Sequence, residues 1–274
     1  FWNLFDYYDS LYLNQDFKSG IDAVRIDKSF SNFSGANIVV NKIKKYNESG
    51  SYLENTLTQS YQRIGVEREL SFLLRGYTTF NNTDYALLYK SEPEGHFVGF
   101  EIDGEIGSLN IYNEIAYLSG TDKITMPGSY QGNLLKNYLM NVLGINYRFK
   151  NNLQITVEHL FNGLGDSSNL DASNIRYKNG LNKSLNEHVT GISLNYEFNP
   201  LLIGKYDSKI AWQDSSHQHN ITLIKSITDN LDFIFGSQIN IGDRPSGSNW
   251  QNPNIQSEFG RQNNKYFFQL KSYF

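Results

Sequence analysis

The chain of 274 residues contains no cysteine and only five prolines, so disulfide bonds are excluded as a source of stability. Absence of cysteine is compatible with a protein of the cell envelope, although it does not assign a compartment. No run of about 18 apolar residues occurs, which excludes a transmembrane helix. The first residues also lack the charged and then apolar pattern of a secretory leader.

The chain also lacks a strong charge of either sign. Its 24 basic and 28 acidic residues are scattered and give a net charge of −4, whereas a nucleic-acid-binding protein presents a basic face or stripe. Nucleic acid is therefore excluded as a partner. Aromatic residues are abundant instead, with 19 Tyr and 18 Phe.

Helical periodicity is nearly absent, and apolar and polar residues alternate with a period of two along most of the chain. In the last segment Tyr266, Phe268 and Leu270 share one face, whereas Lys265 and Gln269 share the other. Most such segments are longer than the usual five or six residues of a globular strand, and about 9–11 residues suffice for a tilted strand to cross a bilayer. Thirteen strands are predicted, near 21–30, 36–43, 58–65, 69–78, 96–104, 108–118, 137–149, 152–161, 188–198, 204–213, 218–227, 231–241 and 264–274.

The connections between these segments alternate in length. Tight turns are predicted at 31–35, 66–68, 103–108, 150–152, 200–204 and 228–230, and long polar connections at 44–57, 79–95, 119–136, 162–187 and 242–263. Only the connection at 214–217 departs from this alternation, because it is short where a long connection is expected. One rim of short turns and one of long loops is typical of a transmembrane barrel. The pattern therefore predicts an all-β fold, a transmembrane antiparallel up-and-down β-barrel of about 13–14 strands, as one domain over residues 1–274.

The C-terminal YFFQLKSYF, with Phe274 last, resembles the closing strand of Gram-negative outer-membrane β-barrel proteins. The segments GIDAVRIDKSFSNFSG, LGINYRFKNNLQITVEHLFNGLG and EFGRQNNKYFFQLKSYF are similar to stretches of porin-like members. The resemblance covers about Gly20 to Phe274 and implies location in the bacterial outer membrane, in contact with lipid and lipopolysaccharide. It also implies that the barrel assembly machinery reads the strand ending in Phe274, and that this strand pairs with the first one because lipid cannot satisfy a free edge.

Barrel topology makes a further prediction about the N-terminus. Both termini of bacterial barrels normally lie in the periplasm and the strand count is even. If Phe274 is periplasmic, thirteen strands place residues 1–20 at the extracellular rim. We therefore expect N-terminal strands that precede Phe1 in the natural protein. The alternative is that residues 1–14 form a fourteenth strand.

The polar side of each strand is predicted to face the lumen. Among its charged members, those expected nearer mid-height are Arg25, Arg75, Glu114 and Glu158, and those expected near the periplasmic rim are Arg63, Glu101, Asp103, Arg148 and Glu197. These lumen-lining candidates form either a charged constriction that selects solutes or a salt-bridged interior without conduction, since buried charges must be paired in any case.

Tyr and Phe near strand ends are predicted to form girdles at the two membrane interfaces. They include Tyr117, Tyr147, Phe149, Tyr196, Phe198 and Phe274.

Two polar segments could carry chemistry, but neither has a defining pattern. DSSHQH at 214–219 contains Ser and His, yet adjacency in a short turn does not show a base within reach of a hydroxyl. His217 and His219 alone are too few ligands for a metal site, and DSSNLDASN at 166–174 lacks the EF-hand spacing. No enzymatic activity, cofactor or metal is therefore predicted.

The function that the sequence favours is a porin-like channel for passive passage of small polar solutes. The alternative is a structural or docking barrel subunit of a larger envelope or secretion complex. The sequence leaves open whether the protein forms a homo-oligomer.

Overall fold

The structure is a computed structural model, and it describes residues 23–46, 66–92, 95–120, 137–166, 168, 170, 173–174, 184–246 and 254–273. This part of the chain is almost entirely β-strand. It contains no helix whose length and apolar character would allow it to span a membrane.

The described residues form thirteen strands in one antiparallel sheet whose spatial order follows the chain from β1 to β13. Each strand therefore pairs with the strands before and after it in sequence, as in a meander. The strands are β1 (Ala23–Ser31), β2 (Ser34–Tyr46), β3 (Val66–Phe80), β4 (Thr83–Glu92), β5 (Gly95–Ile106), β6 (Leu109–Gly120), β7 (Tyr138–Arg148), β8 (Leu153–Asn162), β9 (His188–Asn199), β10 (Leu202–Ala211), β11 (Ser216–Thr228), β12 (Leu231–Ile241) and β13 (Lys265–Ser272).

This topology confirms the predicted all-β, antiparallel, up-and-down arrangement. In the part of the chain that the structure describes, no ladder joins β1 to β13, so the sheet is not closed. The sequence prediction for residues 1–20, and that for Phe274, lie outside the described residues.

The region between β2 and β5 differs from the sequence prediction. The tight turn predicted at 66–68 is wrong because Val66 begins β3, and the long connection predicted at 79–95 contains β4. The β3–β4 turn consists of Asn81 and Asn82, whose φ angles are 51° and 57°. Two consecutive residues with positive φ form the type I′ turn that matches the twist of a hairpin. The predicted strand at 58–65 lies outside the described residues.

The alternation of connection lengths holds in part, with two exceptions. One end of the strands carries only short connections, at 32–33, 81–82, 107–108, 149–152, 200–201 and 229–230. The other end carries the long connections 47–65, 121–137, 163–187 and 242–264, interrupted by the short ones at 93–94 and 212–215. We call these the short-turn end and the long-loop end.

The described residues fall into two compact units. The N-terminal unit comprises the described parts of 8–103 and 114–140, and the C-terminal unit comprises 104–113 and the described part of 141–274.

The strands of the C-terminal unit have two faces of opposite character. In β11, Ile221 and Leu223 are 39% and 40% exposed, whereas the polar side chains of Ser216 and Gln218, on the other face, are 0% and 4% exposed. In β13, Phe268 is 70% exposed. A soluble protein buries its large apolar side chains and exposes its polar ones, and here the exposed side is the apolar one. We call these the apolar face and the polar face.

Candidate functional site

The structure describes eight of the nine residues that the sequence predicted to line a lumen. In the N-terminal unit the structure brings two of them together, because Arg75 Nη2 lies 3.1 Å from Glu101 Oε2. The pair is partly hydrated, with 33% and 24% of the two side chains exposed. The Arg75 guanidinium also lies 5.3 Å from the ring centroid of Tyr77. The sequence placed Arg75 and Glu101 at different heights along their strands, and in the structure their side chains meet.

The other predicted residues occupy separate positions. Arg25 forms an exposed ion pair of 2.8 Å with Asp27 on its own strand. Arg63 lies outside the described residues. Of the remaining candidates, Arg148 is exposed, Asp103 and Glu197 are partly buried, and Glu114 and Glu158 are buried.

Of the predicted lumen-lining residues that the structure describes, Glu158 is the most buried, with 3% of its surface exposed. Its Oε1 accepts a hydrogen bond from the hydroxyl of Tyr112. Tyr112 is in β6 and Glu158 in β8, so the phenol ring must cross β7. It does so over Gly144, where a β-carbon would overlap the ring. A glycine in β7 thus allows two polar groups from strands that are not adjacent to meet.

A lysine that the sequence did not single out lies beside Glu158 on the polar face. Glu158 pairs in register with Gly191 of β9, and Gly191 pairs with Lys209 of β10. The ammonium group of Lys209 is attracted electrostatically by the carboxylates of Glu258, Asp207 and Glu158. The polar face of the C-terminal unit therefore holds a cluster of opposite charges.

Glu258 does not belong to a strand but to the connection between β12 and β13. We call residues 254–264 of this connection the strap. Glu258 is buried, with 4% of its surface exposed. Its Oε2 accepts hydrogen bonds from Ser184 Oγ at 2.7 Å and from the Asn186 backbone N and Nδ2 at 3.1 and 2.9 Å. The strap is thus attached to the connection between β8 and β9.

Asp214 ties a third connection to the same point. Its Oδ2 accepts hydrogen bonds from the backbone N of Glu258 and from Asn186 Nδ2, both at 2.7 Å. Three connections of the long-loop end, at 163–187, 212–215 and 242–264, therefore converge on two carboxylates. We call Ser184, Asn186, Asp214 and Glu258 the latch.

Apolar contacts and amide groups hold the strap on both sides of the latch. Ile255 packs with Leu170 and Leu185 in a buried cluster, and the backbone N of Phe259 donates to Ser216 Oγ at 3.1 Å. Beyond Phe259, the side-chain amide of Gln262 accepts hydrogen bonds from Gln218 and Gln238. The polar groups of the strap therefore replace water as partners of the strand side chains beneath it.

The DSSHQH segment divides between the two faces of the sheet. Asp214 belongs to the latch and Ser216 holds the strap, whereas His217 and His219 lie on the apolar face. There the two imidazole rings stack 6.1 Å apart, and His219 Nδ1 is 2.9 Å from the Tyr206 hydroxyl. In the described part of the chain, no three His, Cys, Asp or Glu residues are grouped as metal ligands.

The segment 166–174 is only partly within the described residues. Its first carboxylate, that of Asp166, accepts hydrogen bonds from the backbone N of Ser168 at 3.1 Å and from its hydroxyl at 2.6 Å. This is a local turn in which a side chain bonds to the backbone two residues on.

Aromatic residues border the apolar face of the C-terminal unit near both strand ends. At the short-turn end, edge-to-face pairs join Tyr147 to Phe149 and Tyr196 to Phe198, with centroids 4.5 and 4.7 Å apart. The members of the border at the long-loop end are His159, Phe161, His188, Trp212 and His217, of which His188 contacts both His159 and Phe161. We call these two borders the aromatic belts.

The latch, the strap and Lys209 were missed by sequence reasoning. In β10, Tyr206 and Ser208 lie on one face of the strand and Lys209 lies on the other. This alternation was the sequence signal for the position of Lys209 on the polar face. Nothing in the sequence marks Glu258, because its partners in the latch lie 44, 72 and 74 residues away. No protein-family model matches the chain, and no curated protein matches it.

Proposed function

We propose that the protein is an integral β-barrel of the Gram-negative outer membrane that allows small polar solutes to pass without a cofactor. The observation that carries this proposal is the apolar face bordered by two aromatic belts. A water-exposed sheet would not retain such a face, because large exposed apolar patches mark sites of contact with lipid or protein.

The separation of the belts fits the apolar layer of a bilayer. In β9 the belt residues His188 and Phe198 are ten positions apart, which at about 3.3 Å per residue is roughly 33 Å along the strand. With the tilt of about 40° common in membrane barrels, the height becomes about 25 Å, the height of their apolar band. Residues between the belts are mainly aliphatic and include Ile192 and Leu194.

A partly hydrated ion pair in the N-terminal unit supports passage of polar solutes rather than apolar ones. The Arg75–Glu101 pair in the N-terminal unit remains partly exposed, so its charges keep contact with water. Fixed charges of both signs along a hydrated path are how channels discriminate between ions. The same pair would interact with charged solutes in transit.

Reconstitution of the full-length protein in planar bilayers tests the channel proposal. We expect stepwise single-channel currents at constant voltage, and migration on gels that changes on heating, as folded membrane barrels show. A protein that never conducts, although its heat-dependent gel migration shows that it has folded, would overturn the channel function.

A second candidate is a structural or docking barrel of an envelope complex. The strap and latch favour it, because they fill part of the polar face with buried, hydrogen-bonded groups. Such a barrel would insert into membranes without conducting and would co-purify in stoichiometric amounts with an envelope partner after mild detergent extraction.

A further inference from the structure

The buried carboxylate of Glu258 is unusual in its position. A charged group removed from water must be compensated by hydrogen bonds or opposite charge. Glu258 receives both, from three hydrogen bonds on one oxygen and from the attraction of Lys209. The same network that stabilises this carboxylate therefore also fixes the strap in place.

The strap has no ladder of its own to keep it there. In the described part of the chain, the strand-like pairing of the strap is limited to a single bridge, which joins Asn254 to Ser246 outside the strap. Its backbone N–H groups instead donate to side chains, as at Ser216 and Asp214. Segments held by side-chain contacts rather than by a ladder open at lower free-energy cost than strands in a sheet.

We propose that the strap is a gate over the polar face of the C-terminal unit and that the latch holds this gate closed. Glu258 is the residue on which closure depends, because it joins the strap to the β8–β9 connection and to the charge of Lys209. This inference rests on the proposed channel function, since it describes how passage along the polar face is regulated.

The absence of cysteine from the chain makes opening directly measurable. Ser216 lies at the start of β11 with no exposed surface, in contact with the strap through Phe259. A single cysteine introduced as Ser216→Cys reports whether the strap covers this position, through its rate of reaction with a water-soluble maleimide. The reporter is on a strand, so it remains in place when the strap moves.

The test compares Ser216→Cys alone with the same reporter combined with Glu258→Ala, all in the full-length protein folded in liposomes. Loss of the charge-assisted hydrogen bonds should increase the labelling rate by about tenfold or more. Glu258→Gln retains an acceptor oxygen but loses the charge, so it should give a smaller increase. Glu105→Ala, which removes an exposed carboxylate of β5, serves as the matched control and should leave the rate unchanged.

Conductance of the same variants separates this inference from the proposed function. Faster labelling together with larger single-channel currents in Glu258→Ala supports both. Faster labelling in a protein that never conducts supports the latch and overturns the channel. An unchanged labelling rate in both Glu258 variants overturns the latch whatever the currents show. Heat-dependent gel migration identifies variants that have not folded. If Glu258→Ala does not fold, the labelling rate of Glu258→Gln relative to Ser216→Cys alone decides whether the latch holds the strap.

Discussion

At the scale of single residues, the contact between Tyr112 and Glu158 depends on what β7 lacks. Gly144 offers no side chain, so the phenol ring crosses the strand and reaches the carboxylate. The alternation of residues in β8 puts Glu158 on the polar side of its strand but does not identify its partner. That pairing depends on the register of three strands, which the alternation of residues does not specify.

Replacing Gly144 with alanine should therefore destabilise the protein by about 1–3 kcal/mol, because the added methyl group displaces the ring and breaks the hydrogen bond. Unfolding by guanidinium chloride in detergent measures the change. Gly76→Ala is the matched control, since a β-carbon at Gly76 meets no atom within 4 Å. Equal effects of the two substitutions would show that the ring does not occupy the space above Gly144.

The Arg75–Glu101 pair makes a different prediction, about selectivity rather than stability. Partly exposed ion pairs contribute at most about 1 kcal/mol, so Arg75→Gln and Glu101→Gln should each change the unfolding free energy by no more than that. In the proposed channel, Glu101→Gln should shift the reversal potential in a salt gradient toward anion preference, and Arg75→Gln toward cation preference. The double variant should return near the wild-type value. Shifts of the same sign would contradict a role in selectivity.

At the scale of elements, the sequence predicted the strands well where one face is apolar and the other polar, as in β7 and β12. It missed β4 because both faces of that strand carry apolar residues, Leu87 on one and Leu88 on the other. The period-two signal is therefore weak. The Asn81–Asn82 turn was also missed, since its positive φ angles are not evident without the hairpin around it.

This turn can be tested by substitution. In a type I′ turn glycine adopts positive φ at the lowest cost, whereas β-branched residues do so at the highest. Asn82→Gly should leave stability unchanged or raise it by up to about 1 kcal/mol, and Asn82→Val should lower it by about 1 kcal/mol or more. Denaturant unfolding of the two variants, measured side by side, checks the difference. A more stable Asn82→Val protein would exclude the type I′ assignment.

The strap could not be predicted at all, for a physical reason. Segments without a repeating backbone geometry have no characteristic period, and their contacts are determined by the three-dimensional arrangement of the connections. Asp214 illustrates this, because it was considered only as part of a polar turn. Its position in the latch becomes visible once the β8–β9 and β12–β13 connections lie beside it.

At the scale of the whole molecule, the aromatic belts predict where the protein sits relative to lipid. Trp212 is 59% exposed and its Nε1 donates to Thr190 Oγ1 at 2.7 Å, so one edge of the indole is bonded while its ring remains exposed. Trp side chains at a membrane favour the interface between headgroups and acyl chains.

Replacing the other two tryptophans, Trp2 and Trp250, with phenylalanine leaves Trp212 as the single fluorophore. Its fluorescence should be quenched more by lipids brominated near the headgroup than by lipids brominated at the end of the acyl chain. We expect roughly a twofold or larger difference in quenching efficiency, because tryptophan favours the interface over the acyl-chain region. Quenching by iodide in water but by neither lipid would place this side chain away from the bilayer and overturn the membrane assignment of the belt.

The connectivity of the strap has a consequence for the order in which the protein folds. The hairpins form from neighbouring segments, whereas Glu258 and Asn186 can meet only after β9 to β12 are in place, because they are 72 residues apart. Contacts between distant residues form slowly. The polar face of the C-terminal unit is therefore expected to stay open to water until these strands have formed, and the strap is expected to close over it only afterwards.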